Sequence, residues 1–414
     1  MSNTFLTDSI ILRETVMALK NNLPFIRNVS TQYASEFAKQ GAKVGATVNI
    51  RKPPRYNVTT GATLNIQDSQ DQFVALTADK HYHVGMSFPE VDRTLSIDKF
   101  RERYIDNAAI ALADNIEFNC YSDMYKAVYS SVGVPSATAL PSTLKGFTQG
   151  KATCATLGAP KGVYAAVVDP LVEASLVEGL KGLFQSSERI AEQYESGEMG
   201  MAAGSRFSMS QSVAKHTAGA VAGAPAIDTT VSSDGTATLH LDGITGSISG
   251  CYKKGDVISI QNVYAVNPQT KQSTGQLAQF VVTADTDSVT NEIASLPISP
   301  AIYGPGSQYQ NVSAYPVDGA LVYLFGAATT YASVIAPQNM VFHKSAFAFA
   351  SVDFELPDEG VKATRVVDKD SGISLTMTRQ FDIVNYRNIT RVDFLGGWIP
   401  IYPELACRVV GQPA

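Results

Sequence analysis

The sequence predicts a mixed α+β core interrupted by an all-β domain, on three observations. One helical stripe runs without a break from about Ile97 to Tyr129. A helix, a strand and a second helix follow between Leu144 and Phe184. From about Ala218 to Phe325 the helical periodicity stops, charged residues fall to about one in ten, and short β-rich runs recur between turn signals. At 414 residues and 45% apolar composition, the chain is long enough to fill a sizeable core and to divide into more than one domain.

The opening segment sets Leu12, Val16, Leu19 and Leu23 on one helical stripe, with Arg13, Glu14 and Lys20 off it and Pro24 as the stop. So short a helix needs a surface to dock on. From Thr47 to Lys52 the pattern is extended and reaches Pro53-Pro54; a polar stretch from Gly61 to Gln72 separates it from a second run, Phe73 to Thr77, which continues to His81-Tyr82-His83-Val84. Two strand-like runs flanking a polar tip predict a long two-stranded arm with little core of its own. An isolated ribbon is marginal in water, so something else must support it.

Ser96 is placed to cap the long helix, Asp98 lies in its first turn, and Phe100, Tyr104, Ala108, Ala111, Leu112 and Ile116 keep its stripe. Over Ile97 to Tyr129 it would measure roughly 50 Å, a spine for the core. A second helix is predicted from Leu144 to Leu157, then a buried strand from Val163 to Val168. Asp169-Pro170 supplies an N-cap and a first-turn proline for a helix through Phe184. In the β-rich stretch the expected strands are Ala237 to Leu241, Val257 to Val266, Leu277 to Thr283 and Ala320 to Phe325, punctuated by Lys254-Gly255-Asp256 and Asn267-Pro268. The tail closes with strands at Met340 to Val352, Ser374 to Arg379 and Val392 to Tyr402.

Charged residues make up 17% of the chain, against about a quarter in an average soluble domain, which tilts expectation toward extensive subunit contact. A net charge of -6 argues against tight nucleic-acid binding through a basic face. Cys120, Cys154, Cys251 and Cys407 form no C-x-x-C pair and read as buried free thiols of a reducing cytoplasm. Neither a signal-peptide pattern at the start nor an apolar run of about 18 residues is present, so no membrane role is expected.

No phosphate loop, dinucleotide fingerprint, H-E-x-x-H or nucleophile elbow is present, and no catalytic residue, cofactor or metal is assigned. Gly304-Pro305-Gly306 reads as a turn. His81 and His83 stand two apart on a strand and could face one metal, but no third ligand lies near in sequence, and they read as packed or solvated histidines. Asp285 and Asp287 resemble the start of a calcium loop, yet Val289 takes the next ligand position; a β-turn is expected, and Asp368 with Asp370 fails likewise. Arg51, Lys52 and Arg55 flank the diproline of the arm. They are either a solvated charge run or a basic segment that pairs with carboxylates of a neighbouring subunit, and the arm's missing core favours the second.

Taken in order, a short N-terminal helix, a two-stranded arm, a spine helix, an α+β core, an inserted β-domain and closing strands resemble the major capsid proteins of tailed double-stranded DNA phages, with their Hong Kong 97-like fold. The stretches Lys253-Lys254-Gly255-Asp256-Val257-Ile258-Ser259-Ile260, Val263-Tyr264-Ala265-Val266-Asn267 and Leu277-Ala278-Gln279-Phe280-Val281-Val282-Thr283 narrow it to the coat protein family of the short-tailed phage P22.

The resemblance implies an N-arm over 1–45, an extended loop over 46–91, a peripheral domain with the spine helix over 92–142, an axial domain beginning at 143–217, an inserted barrel-like β-domain over 218–326, and closing strands of both domains over 327–414. It further implies a structural role without enzymatic activity. Copies would join as pentamers and hexamers into an icosahedral shell in the virion, assembled in the host cytoplasm, around double-stranded DNA held weakly and without sequence preference. A portal protein would occupy one vertex. Because only about 45 residues precede the loop, a separate scaffolding protein is expected. A bacterial nanocompartment shell and a β-rich tail or adhesin protein are the alternatives, and an enzyme is third.

Overall fold

The computed structural model describes residues 23–33, 47–62, 66–68, 72–89, 106–136, 138–180, 200–327, 329–357, 360–367, 372–384 and 387–412. The chain divides into two compact units. The first comprises Met1–Arg51, Phe73–Cys120 and Phe347–Ile401; the second comprises Lys52–Gln72, Tyr121–Ala346 and Tyr402–Ala414. Among the described residues no helix is long and apolar enough to cross a membrane.

The first unit is organised by one long strand, Arg387–Pro400. Lys80–Pro89 pairs along one edge of it, from Arg387↔Pro89 to Gly396↔Lys80. The other edge is shared between Ser374–Asp382, which pairs with Arg387 to Asp393, and Phe347–Ser351, which pairs with Gly396 to Pro400. Lys362–Val367 extends the sheet beyond Ser374–Asp382. The chain's one tryptophan, Trp398, stacks on Tyr82 and Phe349, with ring centroids 6.3 and 6.4 Å apart.

Two expectations change here. The second run of the arm is not continuous to Val84: it stops at Thr77, so that Gln72–Thr77 pairs with Thr47–Lys52 while Lys80–Pro89 joins the closing sheet. The arm's base also has a buried face, since Val48 and Ile50 alternate with exposed Thr47, Asn49 and Arg51.

Helix α1, Asp106–Tyr125, buries Leu112, Ile116, Cys120 and Met124 in one column and Ala113, Glu117, Tyr121 and Tyr125 in the next. It ends four residues before the expected Tyr129, because Ala127 N–H and Val128 N–H bond back to Met124 and Tyr125 carbonyls in tightened turns. The expected cap at Ser96 and Asp98 lies outside the described residues. Most of the opening helical stripe does too, but its end is described: Leu23, Phe25, Ile26 and Val29 are buried around a 3₁₀ turn at Ile26–Asn28. There the fully buried Glu117 carboxylate accepts Phe25 N–H at 2.6 Å and Ile26 N–H at 3.3 Å.

In the second unit a six-stranded sheet runs in the order Ser131–Val132, Ala406–Val409, Asn339–Phe342, Tyr164–Val168, Ser205–Met209, Met201–Ala202. Helices α2, Lys145–Thr156, and α3, Pro170–Leu180, supply Phe147, Cys154, Val172 and Leu176 to a core with Tyr164, Phe207, Val341 and Cys407. Asp169 caps α3 as expected, its carboxylate accepting Leu171 N–H at 2.9 Å. All four cysteines are free and buried.

A second six-stranded sheet is antiparallel and runs Val322–Leu324, Val257–Val266, Ser273–Val282, Ile293–Ile302, Thr236–Ile244, Gly223–Ile227. Its outer strands meet: Ala226 bridges Leu321, Ile227 N–H donates to Ala320 carbonyl, and Gly319 N–H to Ile227 carbonyl. The sheet therefore closes into a barrel around Ile227, Leu239, Ile258, Ile260, Phe280, Leu296 and Leu324. Lys215–Thr217 pairs with Ile335–Pro337, joining the chain that leads into the barrel to the chain that leaves it.

Candidate assembly surface

The three basic residues singled out in the sequence sit where the arm leaves the strand Thr47–Lys52. Arg51 falls on the outward register of that strand and is exposed. Lys52 lies with its ammonium 5.4 Å from the Tyr402 ring centroid; burial pulls its pKa down, Glu404 opposes the shift and Arg55 adds to it. Arg55 pairs with Glu404, Nη2 to Oε1 at 3.1 Å, and its carbonyl accepts the Gln308 side-chain amide. These contacts border a cavity of about 1210 Å³ that Tyr129, Thr153, Gln279 and Tyr303 also line. Glu404 and Tyr402 stand some 349 positions from the arm, and nothing local in the sequence announces them.

Further out, Asn57 and Gln67 clasp each other: Asn57 N–H donates to Gln67 Oε1 at 2.8 Å and Gln67 Nε2 donates to Asn57 carbonyl at 2.6 Å. Beside that clasp Val58 is 90% exposed and Ile66 82%. Apolar side chains held this far into solvent suit contact with another surface.

His81 and His83 do meet a third group. His81 Nε2 lies 2.8 Å from Asp393 Oδ1, and the ligand atoms of His81, His83 and Asp393 fall within 4.8 Å of one another. Arg391, however, places Nε and Nη2 each 2.8 Å from the same carboxylate oxygen and Nη2 3.5 Å from His81 Nε2. The Asp393 carboxylate is thus already paired with the Arg391 guanidinium, and a metal ion there would have to displace that cation or bind beside it. Asp285 and Asp287 flank the bridge residue Thr286, which pairs with Tyr252, and do not sit in the expected β-turn; their carboxylates accept Lys254 N–H at 2.7 Å and Gly250 N–H at 2.6 Å from the facing segment. Gly304 closes a turn with Ser307. Asp368 and Asp370 lie outside the described residues.

Residues 1–411 match the family described as P22 coat protein, gene protein 5. The chain belongs to the P22 coat protein family. It is a coat protein, the major capsid protein of a tailed phage, and copies of it assemble into the shell that encloses the phage DNA; its place is the virion capsid. Among the described residues the make-up is mixed α+β and strand-rich, which fits the Hong Kong 97-like fold expected of the P22 coat protein family. No curated protein sequence matches the chain.

Among solved structures it is similar to that of Mycobacterium phage Che8, at 12% identity and a TM-score of 0.45, covering 92% of this chain and 89% of that one. The capsid of Ralstonia phage GP4 is similar at 8% identity and 0.41, covering 93% and 87%. A virus-like particle from Pyrococcus furiosus is similar at 6% identity and 0.38, covering 96% of each.

Proposed function

We propose that this coat protein joins as pentamers and hexamers that close into an icosahedral shell, with the extended loop, 46–91, as a clamp on the neighbouring subunit. Family membership carries the reading. The exposed Val58 and Ile66 beside the Asn57–Gln67 clasp support the clamp, because they gain a partner only on assembly. Arg51 is the first of the basic residues to reach the neighbour. Lys52 and Arg55 set the take-off of the arm through Tyr402 and Glu404 and add to the inter-subunit contact from there.

The segments of the chain take the roles of N-arm (1–45), extended loop (46–91), peripheral domain with spine helix (92–142), axial domain (143–217), inserted barrel (218–326) and closing strands (327–414). The closed barrel core supports treating 218–326 as an insertion that folds by itself. The protein works as a structural element without enzymatic activity. Assembly takes place in the host cytoplasm with a scaffolding protein, a portal protein fills one vertex, and the packaged DNA is held weakly.

Negative-stain microscopy and sedimentation of the purified protein, with and without a co-expressed scaffolding protein, test the reading. Closed particles that require the scaffold are expected. A monomer or trimer under every condition would overturn it.

A further inference from the structure

The chain is acidic as a whole, at -6, yet one open cleft of about 620 Å³ in the second unit is lined by four lysines. Lys126 follows helix α1, Lys215 begins the strand Lys215–Thr217, and Lys253 and Lys254 lead into Val257–Val266. Asp285 is the one carboxylate of the lining, and it already accepts the Lys254 backbone N–H at 2.7 Å. Among the described residues none of the four ammonium groups has an ion-pair partner. Lys215 and Lys254 are exposed, and Lys126 and Lys253 half-buried.

The wall behind them is fixed. His216 Nε2 lies 2.8 Å from Asp256 Oδ1, and His216 Nδ1 lies 3.3 Å from the Tyr125 hydroxyl. The other Asp256 oxygen accepts Gly219 N–H at 3.0 Å and Lys253 N–H at 2.8 Å, so this fully buried carboxylate is used within the wall and is not offered to the cleft. Gly255, at φ +102°, lets the turn press close: a Cβ there would stand 3.2 Å from Lys126 Cγ and 3.3 Å from His216 Cε1. The Tyr125 ring has Lys126 Nζ at 5.8 Å and the buried Arg408 guanidinium at 5.9 Å. Arg408 Nε and Nη2 have no hydrogen-bond partner among the described residues.

Gathering like charges in one concavity is unfavourable unless an anion completes it. Lysine ammoniums, as compact charges on flexible stems, suit phosphate oxygens approached from several sides. A space of this size is that of a small-molecule site and takes a few linked phosphates, not a duplex.

We propose that this cleft is a binding site for a compact oligophosphate. The full-length protein is titrated with tripolyphosphate by calorimetry at low and physiological ionic strength, with short duplex DNA and a glutamate peptide as further ligands. Wild type binds tripolyphosphate more weakly as salt rises. Lys215→Gln with Lys254→Gln weakens it about 100-fold, on the scale of two lost charge-assisted contacts, with an unchanged melting curve; Lys161→Gln, outside the cleft, leaves it unaltered. Duplex DNA that competes through the same lysines as tightly as tripolyphosphate would overturn the assignment to a compact oligophosphate. Binding that is absent, that ignores the lysine substitutions, or that is tighter for the glutamate peptide overturns the proposal.

Discussion

Glu117 reaches across 92 positions of sequence to accept the Phe25 N–H at 2.6 Å, at full burial. A charged acceptor there satisfies two donors of the turn at Ile26–Asn28 that water cannot reach. Glu117→Ala removes the carboxylate that both N–H groups donate to. It should lower the stability of the first unit by about 3 kcal/mol, read from the fluorescence of Trp398 in a urea titration. An unchanged midpoint would mean the segment around Phe25 is not held by this carboxylate.

Asp256 and Arg408 form the matching case in the second unit. Asp256 accepts from His216, Gly219 and Lys253, whereas Arg408 donates to Gly255 carbonyl at 2.7 Å and Gln338 Oε1 at 3.2 Å. Burial lowers the Arg408 pKa to about 10, which still leaves it charged at neutral pH. Asp256→Ala should cost about 4 kcal/mol, since it strips three donors and leaves a buried cation without its nearest carboxylate. Arg408→Met, which removes the cation and keeps the volume, should cost clearly less. Equal losses in thermal unfolding would contradict this ordering.

Burial pushes the Cys154 thiol from 9.0 up to about 12, and Cys407 well above its ordinary value. A thiol whose pKa is raised by folding stays protonated in the native state while the unfolded chain ionises. Its contribution is therefore whole below about pH 9 and is lost as pH rises toward about 12. Stability should fall over that alkaline window, and Cys154→Ala should flatten the fall. At neutral pH a thiol reagent should label neither cysteine until denaturant is added; rapid labelling of the native protein would sink the prediction.

Arg51 and Arg55 should separate on substitution. Arg51→Glu changes an exposed residue and should shift stability by less than about 0.5 kcal/mol while blocking or misdirecting shell closure in electron micrographs. Arg55→Glu breaks the pair with Glu404, and adding Glu404→Arg should restore whatever assembly it loses. Normal particles from Arg51→Glu would remove that residue from the contact between subunits.

What the sequence disclosed depended on how local the cause was. Val257–Val266 forms over the same residues as expected, because Lys254-Gly255-Asp256 and Asn267-Pro268 bound it on both sides, and Asp169-Pro170 marks the start of α3 for the same kind of reason. Gly223–Ile227 and Ile293–Ile302 gave no strand signal: Gly223, Pro225, Pro297 and Pro300 read as breakers, and the barrel accommodates them with register shifts. The pairing of Lys80–Pro89 with Arg387–Pro400, and of Arg55 with Glu404, joins the two ends of the chain, where only tertiary structure supplies the partner. The lysine cleft stayed hidden likewise, since Lys126, Lys215 and Lys253 belong to three separate stretches.

The short ladder between Lys215–Thr217 and Ile335–Pro337 has a topological effect. It brings together the two ends of a segment of over a hundred residues, so the sheet it interrupts meets the barrel as one two-legged attachment. Because closure entropy grows only slowly with loop length, once the ladder has zipped the enclosed chain can lengthen or shorten at little cost to the strands on either side. The barrel is in that sense a cassette: its outer turns can be rewritten, or carry a foreign peptide, while Ser205–Met209 and Asn339–Phe342 keep their places in the parent sheet.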